Sequence, residues 1–224
     1  MASWMIHLRI ADALLDRIED LDPIAFVMGS IAPDSGVPNS DWSQFSPPKS
    51  VSHYYVALPD GKTKRIDIEA FCADYFSPLR IRSYSKKEYS FFLGYYIHLL
   101  TDIAWAEKIY IPTKSQHSQE YAENRASFTE KMKEDWYDLD FRFLHEYPDF
   151  RAFRIFGQAE GFVNEYMKEF SADAFDDRRK YICGFYRGDE HGQLYRDYLY
   201  LDPARADEFV RETVDSLIDQ LSIS

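Results

Sequence analysis

The chain has 224 residues, of which 46% are hydrophobic and 17% aromatic, so it can bury enough apolar surface to fold and is not expected to be disordered. Its 26 basic and 38 acidic side chains give a formal net charge of −12, which argues against a nucleic-acid-binding patch because an acidic surface repels phosphate backbones. Two cysteines, Cys72 and Cys183, are too few for a thiolate zinc site and form no Cys-x-x-Cys pair.

The N-terminal segment predicts a helix over residues 1–22. Ser3 can cap its start, and Ile6, Ile10 and Leu14 recur at helical spacing. The segment lacks a basic stretch followed by an apolar run, and so it does not predict a secretory signal. No apolar stretch reaches the ~18 residues that would span a bilayer. We therefore expect a cytoplasmic chain without a transmembrane segment.

The middle of the chain changes from irregular to helical. Residues 29–50 are rich in glycine and proline, which break regular structure, so turns are expected to position the side chains there. A short strand is predicted near residues 54–56. Residues 87–106 predict a long helix whose apolar side chains cover every face, which is typical of a buried central helix.

The second half of the chain also predicts helices. Residues 118–136 are amphipathic, with Tyr121, Phe128 and Met132 on one side, and Asp202-Pro203 can start a C-terminal helix. The expected fold class is all-α. We expect a single domain over residues 1–224, with a motif-bearing core at about 1–110 and the C-terminal helices packed on it.

His98 and Asp102 are the first candidates for chemistry. They lie four residues apart on the predicted central helix, and so they point from the same face into largely apolar surroundings. A buried carboxylate is costly unless it is paired or bound to a cation. Two interpretations are open at this point: a His–Asp hydrogen bond in the core, or a metal ion bound by both residues.

Three further residues are individually ambiguous. His7, on the first predicted helix, could be a core or boundary histidine. Asp34 follows Pro33 in a turn, where an aspartate commonly bonds to its own backbone. His53 carries no specific signal by itself. A metal ion would supply the positive charge that this acidic chain otherwise lacks for a phosphate substrate.

Taken in order, these residues lie in four short blocks of sequence. The blocks are HLRIA at 7–11, GSIAPD at 29–34, SHY at 52–54 and GYYIHLLTD at 94–102. Their order and content resemble the zinc-dependent phospholipase C family, which is related in fold to zinc-dependent single-strand nucleases. The resemblance covers roughly the first half of the chain and implies a phospholipase C-like multi-helix bundle around a metal site.

The resemblance also implies a ligand set and a reaction. Asp34, His53, His98 and Asp102 match the family's ligands for one zinc ion, and Asp102 would bridge to a second ion that His7 also binds. Asp34 is the catalytic candidate, orienting or deprotonating a metal-bound water that attacks a phosphodiester. The implied activity is therefore that of a zinc-dependent phosphoric-ester hydrolase acting on a small-molecule or lipid phosphoester.

The chain departs from the family pattern where the remaining ligands are expected. The family's N-terminal tryptophan amine has no direct counterpart, since three residues precede Trp4, and the family's histidine after the bridging aspartate and its later His-x-x-x-Glu pair are missing. The side chains that could substitute are His117, Glu120, Glu134, Asp135, Asp138 and Asp140. We therefore expect one or two Zn²⁺ ions, with Mn²⁺ or Fe as alternatives. The alternative function is a non-catalytic, metal-binding structural or sensing protein of the same fold.

Overall fold

A computed structural model describes residues 1–41, 43–59, 64–189 and 191–222, and it is predominantly helical, as the sequence predicts. In chain order the helices are α1 (Trp4–Leu15), α2 (Pro23–Gly29), α3 (Lys49–Ser52), α4 (Ile68–Tyr75), α5 (Pro78–Ile81), α6 (Lys86–Trp105), α7 (Ile111–Gln116), α8 (Ser118–Glu123), α9 (Arg125–Glu146), α10 (Arg151–Gln158), α11 (Ala174–Arg187) and α12 (Pro203–Ser222). A 3-10 turn (Ala32–Asp34) follows α2, and a π-helical turn (Ala106–Tyr110) follows α6. The all-α prediction is confirmed.

The described residues contain two small antiparallel sheets of two strands each. Strand β1 (Val37–Pro38) pairs with β2 (Phe45–Ser46), and β3 (Tyr55–Ala57) pairs with β4 (Lys64–Ile66). In the second sheet Tyr55 lies opposite Ile66. The short strand predicted near residues 54–56 is therefore present, one residue later along the chain.

The first helix is shorter than the sequence predicts. Ser3 caps α1 by accepting a hydrogen bond from the backbone N–H of Ile6, as expected, but the helix ends at Leu15. Asp22 then adopts an extended backbone and caps α2, which starts at Pro23. Between the two helices Asp20 has a φ of +58°, which a continuing right-handed helix does not allow, so the predicted helix does not reach residue 22.

The central helix α6 is the element that organises the site. Ser85 and Glu88 form a capping box at its start, and buried residues from Ser90 to Trp105 occur on all its faces. Gly29 at the end of α2 and Gly94 on α6 let the two backbones touch. A Cβ atom on Gly94 would lie 2.3 Å from the carbonyl oxygen of Phe26. This close crossing brings the segment after α2 against the middle of α6.

The later helices agree with the sequence in type but not in every boundary. The amphipathic stretch 118–136 is divided between α8 and α9, because Asn124 leaves the helical conformation and caps α9. Phe128 and Met132 are buried as predicted. Asp202 caps α12 by accepting from the backbone N–H of Arg205, 2.9 Å away. Among the described helices, none is both long enough and apolar enough to cross a membrane.

Candidate metal centre

The five residues predicted as ligands come together around the middle of α6. His98 and Asp102 lie on α6, His7 on α1, Asp34 at the end of the 3-10 turn, and His53 directly after α3. Asp34 is partly exposed, whereas the other four side chains are buried, each with at most 2% of its surface exposed. The packing of α2 against α6 therefore gathers residues that are distant along the chain.

The distances between these side chains are longer than hydrogen bonds. His53 Nε2 lies 3.3 Å from Asp34 Oδ1 and 3.8 Å from Asp102 Oδ2. His7 Nε2 lies 3.5 Å from Asp102 Oδ1, and His98 Nε2 lies 3.8 Å from Asp102 Oδ2. None of the three Nε2 atoms has a hydrogen-bond partner among the described residues. The simple core hydrogen bond that the sequence left open does not account for this geometry.

The orientation of His98 is fixed by the backbone behind it. Its Nδ1 lies 2.8 Å from the carbonyl oxygen of Ser30, and because a carbonyl only accepts, Nδ1 carries the proton. Burial, and after it the neighbouring His7 ring, lowers the pKa of His98 to about 3, so the ring is neutral near pH 7. The lone pair of His98 Nε2 therefore faces the carboxylate of Asp102. Both groups are acceptors, and a cation between them would satisfy both.

The other two imidazoles are also held in place by neighbours. The ring of His7 stacks on that of His98 with centroids 3.7 Å apart and an interplanar angle of 5°. His53 Nδ1 lies 2.9 Å from the hydroxyl oxygen of Ser52. The buried Tyr95 hydroxyl donates to the backbone carbonyl of Ser52 and so anchors the turn that carries His53. A hydrogen bond at the second ring nitrogen, as in His53, orients ligating histidines in metal sites, whereas His7 Nδ1 has no hydrogen-bond partner among the described residues and its ring is held by stacking.

Both carboxylates stay ionised near neutral pH. Burial acts to raise the pKa of Asp102, but the N-terminal ammonium and the rings of His7 and His98 outweigh burial and hold that pKa below its usual range. Burial also opposes ionisation of Asp34, and the adjacent imidazoles of His53 and His98 hold its pKa well below the ordinary value. The buried carboxylate of Asp102 and the partly exposed one of Asp34, beside the neutral imidazole of His98, form a negatively charged, nitrogen- and oxygen-lined pocket.

The donor set fits zinc. Two ligands of a tetrahedral zinc ion lie roughly 3.4 Å apart, since each metal–ligand bond is about 2.1 Å long. Ligand atoms of His7, His98 and Asp102 lie within 4.8 Å of one another, as do those of Asp34, His53 and His98. An imidazole nitrogen has one lone pair, whereas a carboxylate has two oxygens. The residue common to both groups is His98, which has a single lone pair to offer, whereas Asp102 presents Oδ1 to His7 and Oδ2 to His53 and His98.

A comparison with protein families shows which family this chain belongs to. The family model for zinc dependent phospholipase C matches residues 6–184, which is most of the chain. The chain belongs to the zinc-dependent phospholipase C family. No curated protein and no solved structure matches it. The match extends well beyond the four blocks in the first half of the sequence, and it spans all five residues of the metal centre.

The residues that the sequence offered as additional zinc ligands in this member of the phospholipase C family lie outside the cluster around α6. The groups of three or more potential ligands found among the described residues are the two around α6. His117 Nδ1 lies 3.9 Å from Glu120 Oε2, and Glu120 also accepts from the hydroxyl of Tyr200. Glu134 is exposed. The second half of the chain therefore adds no ligand cluster in the described residues.

Two of the remaining carboxylates are engaged in structural hydrogen bonds. Asp138 accepts from the backbone N–H of Gly192 at 2.8 Å and from Arg196. Asp140 accepts from the hydroxyls of Ser3 and Tyr186. Asp138 and Asp140 thus join neighbouring segments of the fold, and both lie outside the two ligand groups.

At Asp34 the candidate metal centre borders a cleft of about 1500 Å³. Asp34 lines this cleft together with Trp4, Lys49, Arg178 and Tyr181. A cleft of this size accommodates a substrate much larger than inorganic phosphate. Sequence reasoning did not single out Lys49 or Arg178, because neither lies in a recognisable motif and only the folded chain brings them beside Asp34.

Proposed function

We propose that this chain is a metal-dependent hydrolase of phosphoric esters, with a phosphodiester as its substrate. The observation that carries the proposal is the set of three Nε2 atoms without partners, turned toward two ionised carboxylates at the wall of a cleft. The family match and the buried His/Asp cluster support a zinc-dependent, phospholipase-like hydrolase in general terms. The phosphodiester reaction and the residue roles below are our proposal.

In this proposal His53, His98, Asp34 and Asp102 hold one Zn²⁺ ion, and Asp102 with His7 holds a second where two are present. When bound, zinc lowers the pKa of a coordinated water and offsets negative charge on the phosphoryl oxygens. The protein keeps both carboxylates ionised and fixes the tautomer of His98 through the Ser30 carbonyl, so no proton has to leave that Nε2 atom before binding.

Asp34 is the residue that we propose acts on the attacking water. Its carboxylate is ionised and lines the cleft, so it can accept a proton from a water poised at the substrate phosphorus. As the oxygen of that water bonds to phosphorus, the P–O bond to the departing alcohol breaks. The leaving oxygen takes a proton from solvent, and the products are an alcohol and a phosphomonoester.

Metal content and turnover test the proposal together. Protein purified without a histidine tag should contain one or two equivalents of zinc by elemental analysis and should hydrolyse bis-p-nitrophenyl phosphate. His98→Ala and Asp102→Ala should lose both properties, whereas the matched control His145→Ala, an exposed histidine outside the cluster, should keep them. Zinc-loaded protein that hydrolyses no phosphoester across a broad panel would refute the hydrolase proposal.

One observation favours a second candidate, a metal-binding protein without catalysis. The six side chains predicted as possible further ligands lie outside the two ligand groups; they are His117, Glu120, Glu134, Asp135, Asp138 and Asp140. In that case chelation should lower the melting temperature of the wild type strongly, because a ligand that binds only the native state stabilises it. His98→Ala should then show no response to chelator. Turnover well above background would eliminate this candidate.

A further inference from the structure

Two basic side chains lie beside Asp34 in a chain whose net charge is −12. Lys49 begins α3 and Arg178 lies within α11, and both line the cleft that Asp34 faces. The positive charge of Lys49 acts on Asp34 and Asp102, and Asp34 in turn acts on Arg178. Lys49 and Arg178 therefore bring positive charge to a cleft of a protein that is acidic as a whole.

The ammonium group of Lys49 retains capacity to bind an anion. The side chain is half-buried, and its Nζ donates to the thioether sulfur of Met1 at 2.6 Å, which is a weak acceptor. Nζ also lies 5.3 Å from the centroid of the Phe45 ring. An ammonium has three donors, and a phosphate oxygen is a far stronger acceptor than a thioether or a ring face. An anionic group in the cleft would thus improve the environment of Lys49.

Arg178 lies beside the aromatic wall of the cleft, which is formed by Trp4 and Tyr181. The guanidinium is buried and donates to the carbonyl oxygen of Gly36 at 2.6 Å. Its central carbon lies 5.4 Å from the ring centroid of Tyr181 and 6.0 Å from that of Trp4. Aromatic faces of this kind attract quaternary ammonium groups when they are open. Here the protein's own cation already lies over them, so a cationic headgroup would meet a like charge.

Resting on the proposed function, we propose that Lys49 and Arg178 recognise negative charge on the substrate, so that the enzyme selects phosphoesters with an anionic headgroup over those carrying an ammonium group. Lys49 contacts the anion and repels an ammonium group next to it, and Arg178 excludes a headgroup cation from the aromatic wall. A lipid and a soluble ester could both supply the anionic phosphoester that this site would recognise.

Binding and turnover test this selection separately in the zinc-loaded protein. By calorimetry, sn-glycerol 3-phosphate should bind about tenfold more tightly than phosphocholine, the effect of roughly one partly screened charge interaction. Dispersed dihexanoyl phosphatidylglycerol should likewise have a kcat/KM about tenfold above that of dihexanoyl phosphatidylcholine. Faster turnover of glycerophosphoglycerol than of the diacyl lipid would assign a soluble substrate, and the reverse a lipid, whereas the charge preference is measured by the two glycerol-to-choline ratios.

The variants assign the preference to the two side chains. Lys49→Met and Arg178→Gln should reduce both tenfold ratios toward one, whereas Lys49→Arg should preserve them. Lys131→Met is the matched control, because it removes one positive charge from the same cleft at a residue paired with Glu120. Since Arg178 is buried, its variant is compared at equal zinc content and after its thermal melt has been checked. Lys49→Met keeps the test decisive if Arg178→Gln does not fold.

The outcomes separate this inference from the proposed function. Equal binding and equal turnover of the glycerol and choline compounds, or ratios in Lys49→Met that match those of Lys131→Met, would overturn the charge selection and leave the hydrolase proposal standing. A binding preference that is lost in Lys49→Met, without turnover of any ester, would support the anion site and refute the hydrolase.

Discussion

Replacing Gly94 with alanine tests the link between helix packing and the metal centre. The new Cβ would lie 2.3 Å from the carbonyl oxygen of Phe26 and 2.8 Å from the backbone nitrogen of Ser30, whereas ordinary contact begins near 3.4 Å. The neighbouring atoms are backbone, so no side chain can turn away. Helices α2 and α6 must therefore separate by about 1 Å at the point where the Ser30 carbonyl supports His98.

The expected magnitude follows from two opposing effects. Alanine is favoured over glycine in a helix by about 1 kcal/mol. Overpacking costs about 1–3 kcal/mol, and weakening the buried hydrogen bond between His98 and Ser30 costs about 1–3 kcal/mol more. The free energy of unfolding should therefore fall by roughly 1–5 kcal/mol for Gly94→Ala. Zinc affinity should fall about 10–100-fold, since the second contact of a ligating histidine is displaced.

Urea unfolding of the metal-free protein and zinc competition against a chromophoric chelator measure the two effects. The matched control is Gly184→Ala on α11, where an added Cβ would meet no atom within 4 Å. That variant should be as stable as the wild type or up to about 1 kcal/mol more stable, with unchanged zinc affinity. A Gly94→Ala protein with wild-type stability and wild-type zinc affinity would refute the reasoning that the glycine contact positions His98.

Two further predictions concern side chains around the site. Burial raises the pKa of Asp140 from 3.8 to about 7, so the folded state binds its proton more tightly and the free energy of unfolding should fall as pH rises through this window. Asp140→Asn should flatten that slope in urea titrations between pH 5 and 8, and an unchanged slope would contradict the assignment. Tyr95→Phe removes the donor to the Ser52 carbonyl and should lower stability by about 1–3 kcal/mol while weakening zinc binding through His53. Tyr84→Phe, which removes a less buried donor to a backbone carbonyl, should leave zinc affinity unchanged in the same competition assay.

Local sequence determined the helices and part of the site. Ser3 caps α1 as predicted, because a cap depends on residues within one turn of each other. His98 and Asp102 share a face of α6 because their spacing of four residues is close to one helical turn. The same short-range logic failed where a single residue interrupts a periodic pattern. Asn124 separates α8 from α9 although the apolar stripe continues through it.

Tertiary structure decided which groups meet. His7, Asp34 and His53 carry weak signals individually, and the resemblance to a family, rather than their spacing, predicted that they converge. The approach of Gly29 and Gly94 brings the Ser30 carbonyl to His98, and no periodicity in either segment predicts such a crossing. Contacts between residues far apart in sequence depend on how whole helices pack, which short-range propensities do not specify.

The basic side chains of the cleft show most clearly what composition determines and what folding determines. Composition alone established a net charge of −12 and therefore an unfavourable long-range field for an anionic substrate. Only the folded chain places Lys49 of α3 and Arg178 of α11 around Asp34. Net charge is a sum over residues and is independent of their positions. The field at a site depends on distances, and folding sets those distances.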